Sequence, residues 1–517
     1  MDVMLYPIGI QSFDDIRKGG YAYVDKTALI YRLAATGKYY FLSRPRRFGK
    51  SLLVSTMEAY FRGKRELFRG LAMDSLEKDW AEYPVLHIDF SGKDYSAPDS
   101  LTDILNVHLK QMEESFGVEV ISDACDSRLR GIIEAAYRKT GRQVVILIDE
   151  YDKPIIDNLT RPEIRESFRS TLQGFYSVMK SRDPFIKFGF LTGVTKIGQM
   201  SVFSGLNNLQ DISMDGRFAD ICGISENELK SCFGSSVAEL AEANGFSVPE
   251  CYEKLARMYD GYHFCEDSVG IYNPFSLLNT FSKMKFGEYW FETGTPSFLV
   301  RYLKDGKYNL DNISKNEVTT EILNGANYAS PKPITLMYQA GYLTIKDYDP
   351  EFRTYYLDYP NEEVKSGFLN CLSQFFTPSL NDGEFSVSRF VRAVRNGETD
   401  EFMNLFTAFL SDNSYTVQGE LELYFQNTMS IMFKLMGLYV NTEYNTSNGR
   451  IDIVMNTDRY VYVIELKRDQ DPDTALKQIE SKGYDKPFLA SGKKIIRLGI
   501  NFSSRTRTVD GWKVAEF

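Results

Sequence analysis

The chain has 517 residues, 43% of them hydrophobic and 14% aromatic, which predicts a globular protein of two to four domains rather than a disordered one. Its formal net charge of −10 is uneven, because fourteen lysines and arginines stand against thirteen acids from Asn413 to Phe517, which leaves −11 on the first 412 residues. Such an acidic body argues against a general nucleic-acid surface, so any contact of this kind must come from a local patch.

The lack of long apolar runs, the spacing of the cysteines and the small number of histidines exclude further classes of protein. No run of about eighteen apolar residues and no signal-peptide segment occurs, so we expect a cytoplasmic protein without membrane contact. The six cysteines lack a C-x-x-C pair, as is typical of buried thiols in a reducing compartment. The three histidines, His87, His108 and His263, are too few for zinc-protease motifs or histidine triads, and His87 is predicted to be a satisfied core residue. The chemistry should use carboxylates, lysines and Mg²⁺.

The first predicted elements are an N-terminal strap and helix before residue 39, the strand Tyr39–Ser43 and the helix Lys50–Phe61. Between the last two lies Arg44–Ser51, R-P-R-R-F-G-K-S in one-letter code. It is similar to the phosphate loop G-x-x-x-x-G-K-S/T, except that arginine takes the first glycine position. The main-chain N–H groups of such a loop and the following helix N-terminus bind phosphates.

Within this loop the expected roles are specific. Lys50 would reach the terminal phosphates of ATP, and the Ser51 hydroxyl would bind Mg²⁺. A Gly-Lys-Ser turn is also found at the start of ordinary solvated helices, so a second signal is needed. The predicted nucleotide-binding residues are Arg44, Pro45, Arg46, Arg47, Phe48, Gly49, Lys50, Ser51 and Leu52.

The second signal is Val144–Glu150, an aliphatic run that ends in two carboxylates. This pattern predicts a buried parallel strand that carries acids at its C-terminal edge. Asp149 would bind Mg²⁺, and Glu150 would be the catalytic residue that activates the attacking water. The alternative is a core strand with a solvated acidic end, which the upstream phosphate loop disfavours. We therefore predict a P-loop NTPase that uses ATP and Mg²⁺.

Further elements complete the predicted sheet. A strand at Val85–Ser91 lies between loop and acidic strand in the sequence, which favours the P-loop class with an extra strand and a catalytic glutamate. Helices are predicted at Leu101–Phe116, Ser127–Thr140 and Arg161–Ser181, and a strand at 186–193. Thr192 at the end of that strand is a candidate sensor of the γ-phosphate. A plain strand end is the alternative.

Four stretches resemble the bacterial AAA-ATPase-like family: Arg44–Ser51, Phe203–Leu209, Tyr259–His263 and Tyr272–Ser276. The resemblance covers nearly the whole chain. It implies an N-terminal AAA-like ATPase domain and a C-terminal domain of the PD-(D/E)XK nuclease superfamily. The resemblance implies that arginine is usual at the first glycine position in that family, so Arg44 does not weaken the prediction of nucleotide binding.

The middle of the chain turns mainly helical after residue 226 and contains no catalytic cluster. Tyr259–Phe264 and Trp290–Thr295 are candidates for lid contacts, with aromatic packing around turns as the alternative. Met337–Lys346 and Thr354–Leu357 predict a helix end and a strand pair, in a winged-helix-like element. The predicted domains are residues 1–215 for the ATPase, 216–412 for the middle region and 413–517 for the nuclease-like part.

The C-terminal part contains Gly449–Met455 and Tyr460–Lys467, two alternating runs that predict a β-hairpin. Asp452, Glu465 and Lys467 should share one sheet face, because residues i and i+2 do. Two carboxylates make a site suited to Mg²⁺ or Mn²⁺. The lysine can orient or deprotonate the attacking water and support transition-state charge, so these three residues are the predicted catalytic group.

This arrangement resembles the core of PD-(D/E)XK nucleases, with a helix around Ala475–Ile479 after the acidic strand. Gln478 resembles the glutamine of RecB-like members. The acid expected on an upstream helix is either Glu420 or Glu422, and the pattern leaves both open. The implied partner is nucleic acid, either DNA or RNA, and an oligomer is also compatible with the sequence.

The expected fold is α/β: a P-loop parallel sheet, a helical middle region and a C-terminal α/β restriction-endonuclease-like domain. The expected function is ATP binding and hydrolysis, with a nucleotide state that gates a metal-dependent nuclease-like domain. The alternative is a nucleotide-switched interaction protein whose nuclease-like domain only binds a partner. ATP-driven remodelling of a protein client stays open as well, because the body is acidic.

Overall fold

A computed structural model gives the fold of the chain. It describes residues 4–120, 122–196, 202–203, 208–292, 299–300, 302–303, 316–325, 331–376, 387–411, 431–437, 441–444, 453–506 and 508–516. These residues form two compact units. The first lies within Met1–Leu303 and Ser314–Lys365, and the second within Ser366–Phe517.

A five-stranded parallel sheet organises the first unit. Its strands are β1 Tyr39–Ser43, β2 Val85–Asp89, β3 Val144–Asp149, β4 Ile186–Gly193 and β5 Gln210–Asp211. They lie in the order β2-β3-β4-β1-β5, and every adjacent pair is parallel. All residues of β1 and β3 are buried, as their continuous apolar runs predict. Strand β4 separates β1 from β3, which confirms the extra-strand class, although the strand from which the class was predicted, β2, lies at the edge of the sheet.

Helices connect the parallel strands, since each such connection needs a crossover. They are Phe13–Gly19, Thr27–Thr36, Lys50–Phe61, Ala72–Leu76, Ser100–Phe116, Cys125–Thr140, Lys153–Ile156 and Pro162–Ser181, with 3₁₀ turns at Arg65–Phe68 and Asp183–Phe185. Leu101, Leu105 and Leu109 are buried at four-residue spacing in one of them. The predicted helices at 101–116, 127–140 and 161–181 are confirmed within two residues.

The rest of the first unit is mainly helical, as predicted. Its helices are Glu226–Asn244, Val248–Tyr259, Pro274–Lys283, Tyr289–Glu292, Thr320–Leu323 and Pro333–Ala340, with a 3₁₀ turn at Gly216–Phe218. Capping boxes at Ser225 and Ser247 begin the first two. Strands β6 Ile224–Ser225 and β7 Ile271–Tyr272 pair antiparallel.

Three more antiparallel strands belong to the first unit. They are β8 Asn316–Thr319, β9 Thr344–Asp349 and β10 Thr354–Asp358, in the order β8-β10-β9. The helix Pro333–Ala340 precedes β9, so the predicted helix end and strand pair are confirmed. No helix in the described ranges combines the length and the apolar composition that a membrane crossing requires.

The second unit is built on a mixed sheet whose strands follow chain order. These strands are β11 Asn441–Tyr444, β12 Ile453–Asn456, β13 Tyr460–Arg468, β14 Lys494–Phe502 and β15 Val509–Glu516. Strands β13 and β14 are parallel, and the other pairs are antiparallel. Ile453 pairs with Ile464, and Asn456 pairs with Val461, which confirms the predicted hairpin between β12 and β13.

Helices accompany this sheet, and those at 387–396, 399–411 and 431–436 contribute to the core of the second unit. They are Glu362–Phe376, Val387–Asn396, Thr399–Ser411 and Pro472–Lys482, together with residues 431–436 and a 3₁₀ turn at Lys486–Ser491. Phe390, Phe402 and Phe406 from two of these helices pack in one buried cluster with Tyr462 and Ile464 of β13. Helix Pro472–Lys482 provides the crossover between β13 and β14.

Candidate functional site

The loop between β1 and the next helix makes a tight turn. Gly49 has φ 91° and Arg47 has φ 68°, both in the left-handed region that favours glycine. Helix Lys50–Phe61 begins directly after Gly49, so its free N–H groups face the loop. The Lys50 ammonium donates to the carbonyl oxygens of Arg44 at 3.0 Å and Pro45 at 3.1 Å. The turn therefore lies between a buried strand and a helix N-terminus, as predicted for a phosphate loop.

A cavity of about 420 Å³ opens beside this loop. Residues from the ends of three strands reach it: Lys50 and Ser51 after β1, Ser91 after β2 and Glu150 after β3. Its full lining is Pro7, Ile8, Gly9, Ile10, Gln11, Arg46, Arg47, Gly49, Lys50, Ser51, Leu52, Ser91, Glu150, Lys153, Pro274, Phe275 and Leu278. Six of the nine predicted nucleotide-binding residues are among them.

The other three residues of the loop face elsewhere. Arg44 is buried, and its guanidinium donates to the carbonyl oxygens of Ser43 at 2.9 Å and Ser213 at 2.8 Å, and also to those of Phe218 and Ala219. Burial lowers the pKa of this arginine. Its side chain therefore ties β1 to the segment after β5 instead of lining the cavity. Pro45 and Phe48 also lie outside the lining.

Phe48 anchors the loop to the helical part of the first unit. Its ring meets Tyr262 edge-on at 4.7 Å and Phe264 at 5.7 Å between centroids. The Trp290 indole N–H donates to the Arg46 carbonyl at 3.1 Å. The aromatic motif around Tyr262 thus packs under the phosphate loop, as the packing alternative predicted, while Trp290 contacts the loop directly.

The end of β3 holds the two predicted acids. Asp149 is buried, and its Oδ1 accepts hydrogen bonds from the Thr192 hydroxyl and, at 3.1 Å, from the Glu150 main-chain N–H. The predicted sensor Thr192 therefore contacts the predicted Mg²⁺ ligand. Burial raises the pKa of Glu150, and Asp149 raises it further, although Lys50 acts in the opposite direction.

Asp152 is a site residue that the sequence analysis missed. It is 1% exposed and accepts from the main-chain N–H groups of Val194 at 3.1 Å and Thr195 at 2.6 Å. Burial raises its pKa, while these hydrogen bonds act to lower it. Asp152 thereby fixes the segment after β4 beside the acidic turn. The signal in the sequence was a third acid, three residues after Asp149.

The outer wall of the cavity was also missed. It combines the strap residues 7–11 with Pro274, Phe275 and Leu278, at the start of a helix more than 250 residues further along the chain. A smaller, mainly apolar cavity of about 100 Å³ shares Pro7, Gly49, Leu52, Pro274 and Leu278 with the first. The strap had been predicted, but no local pattern shows that these two segments meet.

The C-terminal site brings together three predicted residues. Glu465 on β13 is 2% exposed, and its Oε1 accepts from Lys467 Nζ at 3.0 Å and from the Gln478 side-chain amide. Lys467 Nζ also donates to Gln478 Oε1 at 2.6 Å. Spacing i, i+2 puts the acid and lysine on one face, and helix Pro472–Lys482 brings the glutamine over them.

The predicted acids Asp452, Glu420 and Glu422 lie outside the described residues. Within the described ranges, no three His, Cys, Asp or Glu side chains come together as a metal-binding group. The carboxylate of Glu465 is of the oxygen type that Mg²⁺ and Mn²⁺ prefer. Ile453, which follows Asp452 in the chain, pairs with Ile464, which precedes Glu465.

The sheet order, the phosphate loop and the buried Asp149 define a P-loop protein of the extra-strand class. Residues 7–203 match the family described as "Predicted AAA-ATPase", and residues 404–512 match the "PD-(D/E)XK nuclease superfamily". The "Uncharacterized protein in vnfD 5'region" of Azotobacter chroococcum mcd 1 is 36% identical over 522 residues, with 98% of each chain covered. The chain belongs to the AAA-ATPase-like family and carries a C-terminal PD-(D/E)XK nuclease superfamily domain.

Proposed function

We propose that this protein binds and hydrolyses ATP, and that its nucleotide state gates a metal-dependent nuclease-like domain that acts on nucleic acid. One observation carries the ATP part of the proposal. Lys50, Ser51 and Glu150 line a single cavity of about 420 Å³ at the C-terminal ends of the parallel strands. That edge of an open α/β sheet is where nucleotides bind.

The residues at and around the cavity have separate roles in binding phosphate, binding Mg²⁺ and activating water. Lys50 and the N–H groups at the start of its helix offset phosphate charge. Ser51 and Asp149 would hold Mg²⁺, which supplies further charge neutralisation when bound. Glu150 accepts the proton of the attacking water, and its raised pKa makes it a stronger base than an exposed glutamate. Thr192 fixes the orientation of Asp149 through their hydrogen bond.

The base of the nucleotide would lie between the strap and the helix Pro274–Lys283. This wall is apolar, with Pro7, Ile8, Pro274 and Leu278 facing one cavity. A purine ring buries well against such surfaces, which suits ATP. The triphosphate would then extend toward Lys50 and Glu150.

The proposed nuclease centre consists of Asp452 and Glu465 as ligands of Mg²⁺ or Mn²⁺, with Glu420 or Glu422 as an additional acid. The metal supplies Lewis-acid activation of a scissile phosphate when bound. Lys467 would hold the attacking water, and Gln478 keeps the lysine and the glutamate together through its two hydrogen bonds.

The test uses the full chain with plasmid DNA and with RNA, in Mg²⁺ or Mn²⁺, with and without ATP. We expect cleavage that depends on metal and changes with ATP. The variant Glu465→Gln, which keeps the shape of the side chain, should lose cleavage and keep ATP hydrolysis. Wild-type protein that hydrolyses ATP but cuts neither substrate would support the alternative of a nucleotide-switched binding protein.

A further inference from the structure

A further cavity, of about 750 Å³ and separate from the two described above, lies along the open edge of the first sheet. Its walls are the segment Asp79–Val85, His87 of β2, and Gln111 and Met112 on the helix Ser100–Phe116. It shares no lining residue with the nucleotide cavity. Neither the ATP site nor the nuclease-like site accounts for it.

Strand β2 offers free main-chain groups to this cavity. Among the described strands β3 is its only neighbour. The hydrogen bond from Val145 N to Pro84 O, 2.8 Å long, fixes which groups point toward β3. By strand alternation the N–H and C=O groups of Val85 and His87 point outward, and within the described ranges nothing bonds to them. Such an edge is a template for another strand.

In the described part of the chain, two wall residues each have a ring nitrogen without a hydrogen-bond partner. Trp80 Nε1 and His87 Nε2 are buried and have no hydrogen-bond partner in the described part of the chain. The indole N–H can only donate. The other nitrogen of His87 lies 2.9 Å from Glu58. Burial lowers the pKa of His87, but the contact with Glu58 outweighs this, so the pKa is raised from its ordinary value.

The charged residues around the cavity carry both signs. Arg62 and Arg142 line it, as do Asp79 and Glu82. Arg62 already donates to Glu58 at 2.9 Å. A free small anion would therefore meet opposing charges. An extended main chain satisfies the outward groups of β2, and one acceptor side chain satisfies the indole N–H of Trp80.

We propose that this cavity binds an extended peptide segment of a partner protein, which adds as a strand beside β2 and places one carboxylate against the indole N–H of Trp80. The main-chain hydrogen bonds would supply affinity, and the carboxylate would supply specificity. This proposal does not depend on ATP hydrolysis or on nuclease activity.

The experiment is a selection of random peptides displayed on phage, against the immobilised full chain. The key variant is Val85→Pro, because its N–H points outward and proline removes it without breaking the bonds between β2 and β3. We expect enriched peptides with alternating β-branched residues and one Asp or Glu. They should bind wild type at least about tenfold more tightly than Val85→Pro, and should slow hydrogen exchange of the His87 amide.

A second variant tests the proposal independently if Val85→Pro does not fold. Trp80→Phe removes the indole N–H and keeps an aromatic ring beside Phe68 and Tyr60, whose centroids lie 5.2 Å and 6.0 Å from that of Trp80. It should weaken acid-containing peptides about tenfold. Val269→Ser, at a 62% exposed position outside the cavity lining, should bind like wild type.

Three results would overturn the proposal. The first is that no peptide is enriched on wild type over Val85→Pro. The second is that enriched peptides bind both proteins equally well. The third is that N-acetylglutamate alone binds as tightly as the peptides, which would make the cavity a site for small carboxylates.

Discussion

Glu150 occupies a backbone conformation that few side chains adopt. Its φ of 53° lies in the left-handed region, which costs a non-glycine residue on the order of 1–3 kcal/mol. The turn occurs directly after β3 and brings the carboxylate to the nucleotide cavity, while the preceding Asp149 stays buried. The strain therefore separates the proposed tasks of two adjacent acids, one that binds metal and one that faces water.

The first prediction concerns this carboxylate. Glu150→Gln should lower ATP hydrolysis by about 10²- to 10⁴-fold, because the amide cannot accept the proton of water. ATP affinity should stay within about twofold, since the phosphate-binding groups are unchanged. Phosphate release and binding of a fluorescent ATP analogue measure the two effects. Lys50→Ala is the contrasting control, in which binding itself should fail. Normal turnover in Glu150→Gln would remove Glu150 from the mechanism.

The second prediction concerns Arg44. Arg44→Gly restores the usual phosphate-loop residue but leaves buried carbonyl oxygens, including those of Ser213 and Phe218, without donors. The free energy of unfolding should fall by roughly 3–5 kcal/mol, as when one partner of a buried polar network is removed. Urea unfolding measures it. Arg46→Gly, at an exposed position of the same loop, should cost far less. Equal stability of the two variants would refute the structural role of Arg44.

At the scale of elements, local sequence patterns predicted the bounds of those strands and helices that burial and hydrophobic periodicity determine. The strands β1 and β4 and the helix Lys50–Phe61 have the predicted bounds, since continuous apolar runs and a sharp Gly49 turn delimit them. The pairing of Glu465 with Lys467 followed from strand alternation. The side-chain direction of Arg44 depends on loop backbone angles, which a motif does not specify.

The nucleotide cavity marks the limit of such prediction. The strap residues 7–11 and the helix Pro274–Lys283 form one wall of it, yet they are far apart in the chain. Neither segment has a polar residue pattern that indicates a ligand. Their meeting is decided by packing of the whole first unit, and only a three-dimensional structure contains that information.

The third prediction concerns the ion pair between the helix Lys50–Phe61 and β2. Burial opposes the charges, but the contact between Glu58 and His87 raises the pKa of the histidine and lowers that of the glutamate. The contribution of the histidine is complete below its ordinary pKa of 6.5 and is lost as pH rises through the raised folded value. The contribution of the glutamate is present above 4.5 and is lost as pH falls. The pair therefore stabilises most between these two values.

His87→Gln should consequently lower the melting temperature more at pH 6 than at pH 9. Thermal unfolding of variant and wild type at both values measures this difference. Arg62→Gln is the matched control, because Arg62 also bonds to Glu58 but keeps its charge at both values. Its effect should not change between them. An effect of His87→Gln that is equally independent of pH would contradict the ion pair.

The fourth prediction concerns the helix over the nuclease-like site. Gly499 on β14 is the neighbour of Glu465, and a Cβ there would lie 2.4 Å from the Pro472 carbonyl oxygen. Gly499→Ala should push the helix Pro472–Lys482 outward, which costs roughly 1–3 kcal/mol of stability and draws Gln478 away from its partners. Denaturant unfolding and DNA cleavage measure both losses. Gly511→Ala, where the nearest contact is an ordinary 3.6 Å, should change neither. Equal stability and equal cleavage of the two variants would contradict the predicted displacement of the helix.

At the scale of the whole molecule, the nuclease-superfamily match and the second compact unit do not begin at the same place. The match starts at residue 404, and the main segment of the unit starts at Ser366. The predicted boundary at residue 413 stays a prediction. The buried cluster of this unit includes Phe390, Phe402, Phe406 and Leu410, all of which precede that boundary. The strands after residue 413 therefore contribute only part of this hydrophobic core, and helices that precede residue 413 contribute the rest.

The last prediction follows from this core. A fragment of residues 366–517 should fold with a cooperative thermal transition, because it keeps both layers of the cluster. A fragment of residues 413–517 should not, since each lost phenylalanine removes about 3–5 kcal/mol and domains have only about 5–15 kcal/mol in total. Circular dichroism melting and amide dispersion in NMR spectra distinguish the two. A cooperative transition at the same temperature in both fragments would contradict the prediction. If it holds, absent cleavage by the shorter fragment reflects unfolding and says nothing about Glu465 or Lys467.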